Sequence, residues 1–258
     1  MYPTDLTDSQ WEVMESLLSD QRKRKYSLRS IFNALFYLNK AGCQCGAPPG
    51  RMLPKEYPPF RSVHYYFRKW SKDGTWLRLN QALNRSHRQA LGREASPSVG
   101  LLDAQSVKKS EWGLSFKGFD GHKHVNGIKR QLIVDTLGLV MAVKVHPANQ
   151  HDSKAAKAVI ETLASQGYER MQKLLADQGY KGPLGDWLAQ LWAWTLEIVV
   201  AVKGISLAFQ VVPQRWKVER TISWLQWQRR LVKDYEAETD SSEAFVYLFN
   251  IRRVLTKI

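Results

Sequence analysis

Up to about residue 93 the apolar positions recur every three to four residues. In "LTDSQWEVMESLLSD", Leu6, Trp11, Met14, Leu17 and Leu18 fall near a 3.6-residue period behind Thr7 or Asp8, either of which suits a helix cap. "SLRSIFNALFYLNKAG" repeats the pattern with Leu28, Ile31, Leu35 and Leu38 and ends at Gly42. "FRSVHYYFRKWSKDG" and "WLRLNQALNRSHRQALG" predict two further helices, each closed by a glycine. "GREASPSVG" (92–100) reads as a linker, and beyond it the period changes. "SVGLLDAQSV" is a short apolar run of strand type, and "NGIKRQLIVDTLGLVMAVKVHPA" predicts two strands joined in a hairpin at Asp135-Thr136-Leu137-Gly138. An amphipathic helix over "SKAAKAVIETLASQG", a strand over "MQKLLAD", a helix over "GPLGDWLAQLWAW", a strand over "LEIVVAV" and a long helix from Arg215 follow.

These elements imply two domains: an all-α N-terminal domain over 1–93 and an α/β domain over 94–258. In the second, the order of strand, two-stranded hairpin, helix, strand, helix, strand, helix is that of the ribonuclease H-like fold, a mixed sheet flanked by helices. In the first, several short helices with basic, aromatic-rich faces (Arg61, His64, Tyr65, Arg68, Lys69, Trp70) suggest a helix-turn-helix type of DNA-binding module.

Charge sharpens this picture. Lys+Arg number 38 against Asp+Glu 24, a net +14 with the basic residues spread along the chain, which points to a polyphosphate partner. No apolar run approaches the roughly 18 residues of a membrane helix, and "MYPTDLTDSQW" has no signal-peptide character, so the expected location is the cytoplasm, with no membrane partner. Cys43 and Cys45, two apart, are too close to staple the fold and too few for a closed zinc site.

The chemistry lies in three acids. Asp103 closes "VGLLD" and Asp177 closes "KLLAD"; a carboxylate at the end of an apolar strand is costly unless it is paired or metal-bound. "RWKVERTISWLQWQRR" (215–230) places the single acid Glu219 among Arg215, Lys217, Arg220, Arg229 and Arg230. Read as one helix, it puts Arg215, Glu219, Ser223, Gln226 and Arg230 on one face, and Val218, Ile222 and Leu225 form an apolar stripe that docks on the sheet and aims Glu219 at the strand ends. Three carboxylates together suit Mg²⁺, and two such ions roughly 4 Å apart suit phosphodiester chemistry. Glu236 rivals Glu219, about five helical turns away. Asp135 reads as a turn residue and Asp152 as a helix cap, and Trp216, Trp224 and Trp227 read as core, with stacking on a displaced base as the alternative.

The segments "LLDAQSVK", "GIKRQLIVDTLGLVMAVKVHPANQHD", "LLADQGYKGP" and "RWKVERTISWLQWQRRLVKDYE" closely resemble the bacterial insertion-sequence transposases of the DDE superfamily, in the group of families numbered four and five. "LRSIFNALFYLNKAGCQ" and "RMLPKEYPPFRSVHYYFRKWSKDGTW" resemble the helical N-terminal domain of those proteins, so the likeness covers nearly the whole chain. It implies Asp103, Asp177 and Glu219 as the catalytic, metal-holding triad, with two Mg²⁺ ions, for which Mn²⁺ can substitute. It implies cleavage at element ends and transfer of 3′-hydroxyl ends to target DNA. The implied partners are double-stranded DNA, as terminal inverted repeats and target, and a second copy of the chain in the synaptic complex, within the bacterial nucleoid. The cations expected on the DNA are Arg215, Lys217, Arg220, Arg229, Arg230, Lys233, Lys129, Arg130, Lys108, Arg68 and Lys69. Two family positions differ: Val212 stands where a tyrosine is usual and Gln226 where a lysine is, with Arg229 or Arg230 able to supply the missing cation. "GCQCGAPPGRMLP" carries what looks like an inserted loop, and the stretch between Asp177 and Glu219, "KGISLAFQVV" included, is too short for a large all-β insertion. A silent DNA-binding repressor and a hydrolytic nuclease on the same fold are the competing functions.

Overall fold

The computed structural model describes residues 1–18, 23–42, 52–110, 116–199 and 214–257. Cys43, Cys45, the 45–50 insertion, Val212 and the "KGISLAFQVV" stretch lie outside the described residues. Four helices open the chain: α1 (Asp8–Ser16), α2 (Leu28–Ala41), α3 (Phe60–Lys72) and α4 (Thr75–Ala90). Thr7 caps α1 in a reciprocal capping box with Gln10, which satisfies two donors that a helix start otherwise leaves unpaired. Gly42 ends α2 in the left-handed conformation (φ 70°), and a Cβ there would meet the Cβ of Arg229 at 2.7 Å.

The sheet follows as β1 (Val99–Lys108), β2 (Gly118–Asp120), β3 (Val125–Val134), β4 (Val140–Pro147), β5 (Lys173–Ala176) and β6 (Thr195–Ile198), interleaved with α5 (Asp152–Ala164) and α6 (Leu184–Trp192). Its order is β2-β3-β1-β5-β6, with β4 also on β3. β3 pairs antiparallel with β1, β2 and β4, whereas β1–β5 and β5–β6 are parallel. The sheet is therefore mixed and flanked by helices, an arrangement compatible with the ribonuclease H-like expectation. β2, a three-residue strand, was not anticipated from the pattern; it is too short to show a period.

Alternation along the strands builds two cores. Leu101, Leu132, Val134 and Leu175 face one way, into a cluster with the N-terminal helices and the C-terminal elements. Leu102, Ile133, Leu174 and Ala176 face the other way, against α5 and α6. The C-terminal part departs from the expected single long helix. It divides into α7 (Trp216–Leu225), α8 (Arg229–Val232) and α9 (Thr239–Leu255). Continuing the Val218–Ile222–Leu225 stripe at 3.6 residues per turn would bury Arg229 and Val232, which are exposed; the chain turns instead and buries Arg230 and Leu231. α9 is buried from Ser241 to Ile251 on all sides, between the N-terminal helices and β4.

Candidate active site

Asp103 sits within β1, which continues to Lys108 because β3 keeps pairing with it. This corrects its expected place at a strand end. β5 is the strand that stops: its last pair with β1 is Leu101–Leu175, so Asp103 and Asp177 stand two residues further along parallel neighbours, at the same level. Both also share the strand face of Leu101 and Leu175, the side on which α7 lies. Asp177 caps a 3-10 turn over Gln178–Tyr180, accepting the Gly179 N–H at 2.9 Å. On α7, Val218 and Leu225 are fully buried and anchor the helix, with Glu219 beside the first of them.

Arg215 shows that the three acids converge. Its Nη2 lies 3.6 Å from Asp103 Oδ2, 3.6 Å from Asp177 Oδ2 and 3.3 Å from Glu219 Oε1. Asp103 is the least exposed of the three carboxylates and Glu219 the most. Burial pushes the Asp103 carboxyl up to about 6, against the Ala104 N–H and the Arg215 guanidinium, which favour its charged form. The Tyr180 hydroxyl, buried beside this group, donates to Gln131 Oε1 at 3.0 Å. Lys123, which the residue patterns did not single out, reaches Ala104 O at 3.3 Å and adds positive charge near Asp103. Only the β2–β3 turn brings it there.

Among the described residues, no three His, Cys, Asp or Glu side chains form a ready-made metal cage. The three carboxylates surround the Arg215 guanidinium instead. Three carboxylates are a hard oxygen donor set that fits Mg²⁺ or Mn²⁺. Glu236, the rival acid, is in a different place: it is paired with Arg230 at 2.5 Å and sits in a buried cluster with Lys109 and Asp234.

The expected DNA-facing cations divide. Arg130 is buried and donates to Leu231 O at 2.7 Å; Lys129 is buried against Asp152 at 2.9 Å; Arg230 is buried on Glu236. These three are corrected from surface contacts to internal supports, since strand and loop packing turned them inward. Arg68 pairs with Glu238 and Ser241, and Arg215 is held by the triad. Lys108 and Arg229 are exposed, and Lys69, Lys217, Arg220 and Lys233 are half-buried. Of the two arginines offered for the missing family lysine, Arg229 is the one at the surface.

Asp135 takes the turn role expected of it: Oδ1 accepts the N–H groups of Leu137 and Leu139, and Oδ2 takes Arg88. Asp152 is the first residue of α5, and His151 caps it. Trp216 and Trp227 are 37% and 64% exposed, which corrects their reading as core. In the N-terminal half, Lys23, Arg24, Lys25 and Arg61 line a groove of about 370 Å³ with Tyr26, Tyr65 and Tyr66.

A mixed sheet that presents two aspartates at one level to a glutamate on the covering helix defines an α/β protein with a three-carboxylate site. A family model described as "Transposase DDE domain" matches residues 94–250, and one described as "Putative transposase of IS4/5 family" matches residues 6–80. The chain belongs to the DDE transposases, of the IS4/IS5 type. That membership implies, in general terms, a metal-dependent enzyme that cuts DNA. No curated protein and no solved structure gave a significant match. No helix among the described residues is long and apolar enough to cross a membrane.

Proposed function

We propose that this chain is the transposase of an insertion sequence. It binds the terminal inverted repeats of its element, cleaves at the element ends and joins the freed 3′-hydroxyls to target DNA, working as a homodimer in the synaptic complex. Asp103, Asp177 and Glu219 hold the divalent metal, as two Mg²⁺ ions or Mn²⁺ in their place. When bound, such ions activate a water or 3′-hydroxyl and stabilise the leaving oxygen of a phosphodiester. β1 and the β5 end carry two of the ligands on rigid strands, and α7 carries the third, so sheet packing holds their spacing. Arg215, relieved of the three carboxylates once a metal balances them, is positioned to orient a phosphate at the same place. The N-terminal helices (1–93) form the DNA-reading domain, with Arg61, His64 and Tyr65 on the outward side of α3 beside the basic, tyrosine-lined groove.

The observation that carries this reading is that one guanidinium lies within 3.6 Å of carboxylates from three separate segments. The test incubates the purified protein with labelled DNA carrying the flanking ends of its gene, a target plasmid and Mg²⁺ or Mn²⁺, beside Glu219→Gln. End cleavage and joining by the wild type, lost by at least 100-fold in the variant while DNA binding persists, is the expected result. Cleavage without joining would favour a hydrolytic nuclease, and binding without cleavage a silent repressor.

A further inference from the structure

Away from the triad, the β3–β4 turn gathers five cations from four parts of the chain. Arg93, after α4, donates to Thr136 Oγ1 at 3.3 Å; Arg220 on α7 reaches Leu137 O at 3.4 Å; and Arg253 on α9 donates to Gly138 O at 2.8 Å. Lys217 and Lys257 complete the group: Arg93 and Arg220 act on Lys217, and Arg253 and Arg220 act on Lys257. The turn is seated firmly on α7. Gly138 has φ 78°, and a Cβ there would meet Thr221 Oγ1 at 2.7 Å, so only glycine allows this approach.

Two tryptophans set the orientation of the guanidinium groups. The Arg220 guanidinium lies 4.5 Å from the ring centroids of both Trp216 and Trp224, and that of Arg253 lies 4.0 Å from Trp224. Stacking on the rings and one bond each to a turn carbonyl hold the two guanidinium groups in place. Arg220 Nε is buried without a hydrogen-bond partner in the structure.

The charge balance is unfavourable as it stands. The acid that acts on Lys217, Arg253 and Lys257 is Asp135, and it is already committed to Arg88 and to the turn. Burial pushes Arg253 down to about 10, with Arg220 as the next cause, and burial followed by neighbouring arginines lowers both lysines. Like charges held together in this way weaken the free protein and favour a polyanion that neutralises several of them at once.

We propose that Arg93, Lys217, Arg220, Arg253 and Lys257 around the β3–β4 turn form a second DNA-binding surface, which grips the phosphodiester backbone of a duplex outside the carboxylate site. The surface rests on the reading of this chain as a DNA transposase. α7 links the two sites: Glu219 faces the triad and Arg220, the next residue, faces the patch. Backbone contacts of this kind fix the register of DNA without reading its sequence.

The test compares the full chain with Arg93→Gln/Lys217→Gln/Lys257→Gln, in EDTA so that no cleavage intervenes, on a labelled 30-base-pair duplex of arbitrary sequence at several salt concentrations. Three lost contacts should lower affinity about 10-fold or more at 0.1 M salt and flatten the slope of log affinity against log salt by about 2 to 3. The unbound variant should also melt about 1–3 °C higher than wild type at low salt, with the difference fading above 0.3 M. Arg93→Gln/Lys257→Gln, which changes only exposed residues, answers the question if the triple variant misfolds. Unchanged affinity and slope, or no gain in melting temperature, overturns the proposal. If wild type still cleaves and joins DNA with Mg²⁺ in that case, only this surface is lost; if wild type binds no duplex, both readings fall.

Discussion

Arg215 balances three carboxylates with one charge, so its removal exposes their mutual repulsion. Arg215→Gln should lower the melting temperature in EDTA by about 2–4 °C, on the order of 1 kcal/mol, since Asp177 and Glu219 are partly solvated and screened. Added Mg²⁺ should raise the melting temperature of the variant more than that of wild type; an equal rise would mean that Arg215 and the metal do not share a place. At this scale the sequence was informative about residue type and less so about direction. An acid after an apolar strand run, and one acid in a basic helix, could be picked out because few alternatives explain them. Arg130, Lys129 and Arg230 could not be told from DNA contacts, because a cation turned inward by packing looks the same in one dimension as a cation in solvent.

At the scale of elements, α9 does what no local pattern announced. Its Asn250 is fully buried and donates to Asn80 Oδ1 and Asn84 Oδ1 on α4, at 2.7 and 2.9 Å. It also accepts the Val140 N–H of β4 at 3.1 Å, while both α4 asparagines donate to Val140 O. Asn250→Ala leaves several of these groups unsatisfied in the core and should destabilise the protein by about 2–4 kcal/mol in denaturant unfolding. A loss below 0.5 kcal/mol would show that water replaces the side chain. The N-terminal helices, the β3–β4 hairpin, α5 and α6 were legible because each carries a clear period and a turn or cap signal. The break after Leu225 was not legible, because it depends on what Arg230 and Leu231 meet: Arg230 meets Glu236, and α8 packs on α2.

At the scale of the molecule, the first 93 residues and the sheet share one core through α9, with Phe32, Trp76 and Leu83 in the same cluster as Leu132, Val143 and Phe249. Residues 94–258 expressed alone should therefore expose that face and aggregate or lose near-ultraviolet circular dichroism; a soluble, cooperatively melting fragment would contradict this. One contribution to stability should also fall in mild acid. His146, opposite Lys129 in the β3–β4 ladder, has its pKa lowered by burial, with the Pro147 carbonyl and Asp152 opposing and Lys129 reinforcing. The unfolded chain takes up that proton near pH 6.5 and the folded one only lower, so the His146 contribution drops as pH falls through 6.5, opposite in sign to that of Asp103, whose raised carboxyl stabilises the fold as it takes up a proton near 6. From pH 7.5 to 5.5, His146→Gln should lose less stability than wild type, or gain more, in denaturant titrations; an identical change in both would contradict this.

The sequence by itself determined the helical and strand periods, the hairpin at Asp135–Gly138, the excess of positive charge and the identity of three candidate acids, because each rests on spacing or residue chemistry along the chain. Only the tertiary structure decided that Asp103 and Asp177 lie level, that Arg215 joins them to Glu219, and which cations face outward. Register between strands, the docking of α7 and the burial of α9 are contacts between residues far apart in sequence, and no local period encodes them.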